Sequence, residues 1–226
     1  MIKAVLWDLD GTIINSEEGI TKCVQYALRA KGIDEQDMTK LRKFIGPPLE
    51  MSYREHYGMS EEDAWELVVK YRERFDVKGI FECCLYDGVK ETIIRLKEKG
   101  YVQALASSKP EPACRRILEH FGLLDYFDEV VGSTLDGSIS TKEEVLEELG
   151  RRFSHRGIEK AEMCLIGDTK FDAAGACAFG ISCIGVEYGF GTREELLAAG
   201  AKAVLSRPQE VERYIEAGRD ENNGNV

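Results

Sequence analysis

The sequence predicts an α/β protein: a doubly wound parallel sheet, interrupted just after its first strand by an inserted block of helices. Three observations carry this. A short apolar run, residues 3–7, reads as a strand buried on both faces. Residues 16–80 hold several helical periods and no convincing strand. From Tyr86 onward apolar strands alternate with amphipathic helices, the pattern of a parallel sheet wrapped by helices.

Within the insert, Ser16 is expected to cap a helix over 17–31, where Ile20, Val24, Ala27 and Leu28 keep the helical period. Gly32 stops it. A second helix fits 35–44, and the prolines of Ile45-Gly46-Pro47-Pro48 then open a third over 49–56. Ser60, followed by Glu61, Glu62 and Asp63, starts a fourth that runs to 76, its acids on the positive end of the dipole. Asp87 is expected to cap a helix lined by Val89, Ile93 and Leu96 and ended by Gly100. Strands are then predicted at 102–106, 129–131, 163–166 and 181–186, with helices at 111–121, 142–152 and 171–178 between them. A last strand at 203–205 and a closing helix at 209–217 precede a polar tail, 218–226, expected to lack structure. The domain reading is therefore a sheet domain of 1–15 plus 86–226 and a helical domain of 16–85.

Composition narrows the function. A formal charge of −11 argues against nucleic acid polymers and anionic membranes as partners. No apolar run approaches the ~20 residues of a membrane span. Met1-Ile2-Lys3-Ala4 enters structure at once without a signal-peptide pattern, so the expected location is cytoplasmic. The seven cysteines contain no Cys-x-x-Cys pair. Most (Cys23, Cys114, Cys164, Cys177, Cys183) have apolar neighbours and read as buried reduced thiols. His56, His120 and His155 are scattered, with no metal-ligand spacing.

The chemistry gathers at Val5-Leu6-Trp7-Asp8-Leu9-Asp10-Gly11-Thr12. In an extended backbone Asp8 and Asp10 point to the same face, at the strand end where open α/β sheets bind ligands. Two such anions repel, which invites a shared cation, usually Mg²⁺. Asp-x-Asp-Gly alone is also common in turns and calcium loops, but Ile13 and Ile14 stand where a calcium loop needs further oxygens. Three later strand ends add polar groups: Ser107-Ser108-Lys109-Pro110, Ser140-Thr141-Lys142, and Gly167-Asp168-Thr169-Lys170-Phe171-Asp172. Singly, these are helix caps and a solvated lysine. Together they place a hydroxyl, an ammonium and further carboxylates at one sheet edge.

In that order the four motifs resemble the haloacid dehalogenase superfamily of phosphohydrolases. The insert resembles the small helical cap of its phosphoglycolate phosphatase-like branch. Phe44-Ile45-Gly46-Pro47-Pro48-Leu49 and Gly185-Val186-Glu187-Tyr188-Gly189-Phe190-Gly191 look more like that branch's 5′-nucleotidase-like members. The resemblance implies a Rossmann-like core with a cap, and Mg²⁺-dependent hydrolysis of a small phosphorylated metabolite through an aspartyl phosphate. It ranks 5′-nucleotides slightly ahead of phosphoglycolate. It implies Asp8 as nucleophile, Asp10 as general acid/base, Ser107 on the phosphoryl oxygens and Lys142 between Asp8 and the phosphate. The metal would take Asp8, Asp168 and the backbone carbonyl of Asp10, with Asp172 holding its water shell. Leu49 stands where phosphonatases carry a lysine and sugar-phosphate mutases an arginine, which disfavours both. Dehalogenases lack the second aspartate. A receiver-like phosphoaspartate signalling protein is the rival from another class, disfavoured by the insert and by Asp10.

Overall fold

The structure, a computed structural model, describes residues 1–223, with side chains described through residue 217. In chain order the elements are β1 (Ala4–Trp7), β2 (Ile14–Asn15), α1 (Glu17–Ala30), α2 (Met38–Arg42), α3 (Leu49–Tyr57), α4 (Glu61–Phe75) and β3 (Cys84–Leu85). Then follow α5 (Val89–Glu98), β4 (Val102–Pro110), α6 (Glu111–His120), β5 (Glu129–Ser133), α7 (Lys142–Ser154) and β6 (Met163–Gly167). The last are α8 (Lys170–Phe179), β7 (Ser182–Val186), α9 (Arg193–Ala198), β8 (Ala203–Leu205) and α10 (Gln209–Asn223). The chain divides into two compact units, Met1–Ile14 with Leu85–Val226, and Asn15–Cys84.

The first unit is built on a six-stranded sheet of order β5-β4-β1-β6-β7-β8, parallel throughout. β1 is central, pairing Ala4 with Val102 on one side and with Met163 on the other. All four of its residues are buried, as a strand covered on both faces requires. Alternation sends Ala4 and Leu6 into a cluster with Leu146, Leu149, Leu165 and Phe179, under α7 and α8. Trp7 points the other way. Its Nε1 donates to Gln103 Oε1 (3.1 Å), and Gln103 Nε2 donates to the carbonyl of Ile93 in α5 (2.9 Å). The strand order reverses beside β1, and there the carboxyl ends of β1, β4 and β6 leave the crevice in which such sheets bind ligands.

In the second unit α1 and α4 bury Ile20, Val24 and Leu28 with Leu67, Val68 and Tyr71. The rings of Tyr71 and Phe75 stack at 5.3 Å as part of this core. Ser60 caps α4 by accepting from the Asp63 amide, as its position predicts.

Several local expectations are corrected. Ser16 sits at the N-cap of α1 but makes no capping bond, and its Oγ is buried without a partner; Asn15 Oδ1 takes the Glu17 amide instead (3.1 Å). The helix expected over 35–44 shrinks to α2, because Asp37 accepts from the Thr39 amide and starts it late. The cap of α5 is Gly88 at φ 81°, not Asp87. β4 runs on to Pro110, with a register shift between Ala106 and Pro110. Helix α9, started by a Thr192–Glu195 capping box, lies in a stretch where no helix was expected. Cys177 is exposed, although the other four cysteines with apolar neighbours are buried. The tail expected to lack structure is helical through Asn223; residues 224–226 lie outside the described part. Among the described residues no helix is long and apolar enough to cross a membrane.

Candidate active site

β1 delivers Asp8 directly from the sheet's central strand, and the Asp8 amide continues the ladder to the Ile166 carbonyl (2.9 Å). The chain must then turn. Gly11 does so at φ 89°, and a Cβ there would overlap the Asp168 carboxylate. β6 ends at Gly167, placing Asp168 beside Asp8, while the first turn of α8 brings Asp172. One carboxylate oxygen from each of Asp8, Asp168 and Asp172 lies within 4.8 Å of the others, and all three residues are buried. Lys142, the first residue of α7, reaches in to the same spot. Its Nζ donates to Asp8 Oδ1 (2.6 Å), to the Ala106 carbonyl within β4 (2.7 Å), and pairs with Asp172 Oδ1 (2.8 Å).

Each carboxylate is held separately. Asp168 Oδ1 accepts from Thr12 Oγ1 (3.1 Å) and Oδ2 from the Phe190 amide (2.8 Å). Asp172 Oδ2 accepts from the Thr169 amide and hydroxyl (3.0 and 2.7 Å), closing a capping box. The Asp10 carboxylate stands apart from this trio, with both oxygens bound to Lys109 Nζ (2.9 and 2.7 Å). Ser107 is buried within β4, where its Oγ accepts from the Lys109 amide (3.3 Å). Thus Asp8, Lys142, Asp168 and Asp172 come together, with Asp10 just past β1 and Ser107 within β4. The residues missed from sequence are Lys109, Thr12 and the loop carrying Tyr188 and Phe190. Nothing in spacing says that Lys109 turns back on a residue 99 positions earlier.

Three carboxylates against one ammonium leave the cluster at a formal −2, with hard oxygen donors only. That is the charge and donor type of a Mg²⁺ site. The residues present therefore fit that ion.

A family model of haloacid dehalogenase-like hydrolases matches residues 5–186. The chain belongs to that family. It is 43% identical over 194 residues to a 5′-nucleotidase of Pseudomonas aeruginosa, covering 86% of each chain. It is 31% identical over 213 residues to the tyrosine-protein kinase PtkA of Mycobacterium tuberculosis, covering 94% of this chain and 71% of that one. The crystal structure of a predicted phosphatase from Clostridium acetobutylicum superposes with a TM-score of 0.90 at 41% identity, covering 96% and 99% of the two chains. This haloacid dehalogenase-like hydrolase is a phosphoric monoester hydrolase.

Burial sets the electrostatics of the site. It raises the Asp8 pKa to about 6, with Lys142 opposing and Asp172 adding to the rise. Burial, then Asp172 and Asp8, push Asp168 well above the usual carboxylate range. For Lys142 burial pulls downward, but Asp172 and Asp8 outweigh it and the net shift is upward. Asp8 and Asp168 bind protons more tightly folded than unfolded. The stability they lend is full below the ordinary carboxylate value and is lost as pH rises through about 6 and beyond. A divalent ion held by Asp8 and Asp168 would need both ionised, so its stabilising effect would grow across that window. The rise in melting temperature on adding Mg²⁺ is accordingly expected to be larger at about pH 7.5 than at about pH 5.5. Equal rises at the two pH values would contradict this electrostatic account.

Proposed function

We propose that the chain is a Mg²⁺-dependent phosphatase that hydrolyses a small phosphomonoester, with 5′-nucleotides the favoured class, through an aspartyl phosphate on Asp8. The observation that carries this is the buried Lys142 ammonium bound to Asp8 and Asp172 beside Asp168, at the carboxyl edge of the sheet.

Asp8, Asp168 and the Asp10 carbonyl would hold the metal, with Asp172 toward its water shell, and when bound it would supply charge neutralisation at the transferring phosphoryl group. An Asp8 carboxylate oxygen forms the new bond to phosphorus as the ester oxygen leaves. Lys142 keeps that carboxylate oriented and offsets charge on the equatorial oxygens, with the Ser107 hydroxyl and the backbone amides of the Gly11 turn beside them. Asp10 gives a proton to the leaving oxygen, then takes one from the water that attacks the phosphoaspartate. The ion pair with Lys109 suits the second task. The first requires Asp10 to leave Lys109. The helical unit, Asn15–Cys84, is assigned the role of cap and the choice of substrate.

The nucleotide preference rests on the 43% identical relative named a 5′-nucleotidase and on Phe44–Leu49. Phosphate release from nucleoside monophosphates, phosphoglycolate and other phosphomonoesters is expected only with Mg²⁺ or a similar ion. Calcium should inhibit, since its irregular, higher coordination spoils in-line geometry. Metal-independent turnover would sink the mechanism, and a clear preference for phosphoglycolate would remove the nucleotide assignment. Release to water, not transfer to a protein hydroxyl, separates this reading from the activity named for the kinase relative.

A further inference from the structure

The loop between β7 and α9 does more than connect them. Gly189 packs so closely on Asp168 that a Cβ there would overlap both its side chain and the Gly11 carbonyl. A Cβ on Gly191 would overlap the Asp168 backbone carbonyl. Between them, the Phe190 amide donates to Asp168 Oδ2 (2.8 Å). Tyr188 anchors the loop's other end: its hydroxyl donates to the Thr12 carbonyl (3.0 Å), and its ring lies 4.8 Å from that of Tyr86. Thr12 in turn gives its own hydroxyl to Asp168 Oδ1 (3.1 Å). Two turns from distant parts of the chain thus grip one carboxylate from both sides.

We infer that Tyr188-Gly189-Phe190-Gly191, with Thr12, is the positioning element that makes Asp168 a metal ligand of fixed orientation. With a donor already on each oxygen, Asp168 is discouraged from clasping an ion with both oxygens at once. That arrangement suits Mg²⁺, which takes single oxygens in near-octahedral geometry, and penalises Ca²⁺, which accepts two-oxygen carboxylates. Partners of this kind typically change metal affinity by ~10–100-fold when removed. The inference rests on the Mg²⁺ reading above.

The test is Mn²⁺ binding, followed from the free-ion EPR signal, with Mg²⁺ and Ca²⁺ as competitors. It compares the wild type with Gly191→Ala, Thr12→Val and Gly185→Ala. The last is the control, since the atoms nearest a Cβ on Gly185 belong to Leu196 and Val204, away from Asp168. Expected are a loss of Mn²⁺ affinity of about tenfold or more in Gly191→Ala and a shift toward Ca²⁺ in the competition ratio of Thr12→Val. Gly185→Ala should lower the melting temperature and leave the metal constants alone. Wild-type Mn²⁺ affinity in Gly191→Ala, an unchanged ratio in Thr12→Val, or an equal affinity loss in Gly185→Ala overturns the inference. If Gly191→Ala does not fold, the Thr12→Val ratio decides alone. A wild type that binds no Mn²⁺ removes the metal reading itself, a result distinct from any of these.

Discussion

Asp8→Asn is expected to abolish both phosphate release and the phosphoenzyme while leaving substrate binding largely intact. An amide nitrogen or oxygen is a far poorer nucleophile than a carboxylate, and the side chain keeps its shape. Asp8 is the carboxylate Lys142 holds at 2.6 Å, so the proposed nucleophile is oriented before any substrate arrives. Asp10→Asn should fail differently. Its carboxylate lies outside the Asp8–Asp168–Asp172 trio, bound to Lys109, so its loss leaves the nucleophile in place. What goes is proton transfer, typically ~10²–10⁴-fold in rate. The loss should be smallest for acidic leaving groups, which depart without a proton. Rapid-quench measurement of the phosphorylation step with nitrophenyl phosphate and an alkyl phosphate checks this. Equal slowing of the two would show that Asp10 is not the acid.

The second large effect is on stability. Lys142→Met removes the one ammonium from a cluster of three buried carboxylates, keeping a chain of similar length. Breaking a buried ion pair from one side leaves uncompensated charge and costs about 3–5 kcal/mol. Here Asp8 and Asp172 both lose their partner, and the Ala106 carbonyl loses its donor. Urea unfolding at neutral pH should show that loss in metal-free protein. Acidification should reduce it, because Asp8 and Asp168 then take up protons. Saturating Mg²⁺ should restore part of it by replacing the missing positive charge. A Lys142→Met protein as stable as wild type without metal would contradict the ion-pair role given to Lys142.

These outcomes also measure how far the sequence can be read. The central strand was legible because a parallel strand buried on both faces leaves an unbroken apolar run. Asp8, Lys142, Asp168 and Asp172 were legible because each follows a strand or opens the helix after one, and such ends converge in a parallel sheet. Ser16 misled because a good capping residue next to another, Asn15, gives no sign of which will bond. Asp87 misled in the same way, with Gly88 taking the turn. The grip on Asp168 was out of reach for a stronger reason. One of its two donors is the Phe190 backbone amide, and a backbone amide has no letter of its own. Lys109 carried a letter but no address, since its partner was fixed only by the fold.

The placing of β1 has a consequence for how the chain acquires its structure. Its two sheet partners begin at Val102 and Met163, so the central strand has nothing to pair with until β4 is made and is paired on one side only until β6 follows. The helical unit closes within a contiguous stretch, Asn15–Cys84, so every contact inside it spans fewer residues than the pairing of β1 with β4. Such local structure forms early, whereas long-range parallel pairing waits on loop closure and is slow. At ~5–20 residues per second of synthesis, Asp8 spends several seconds on an unpaired apolar strand after the helices can form. Asp8 is thus made well before Lys142, Asp168 and Asp172, the groups that surround it.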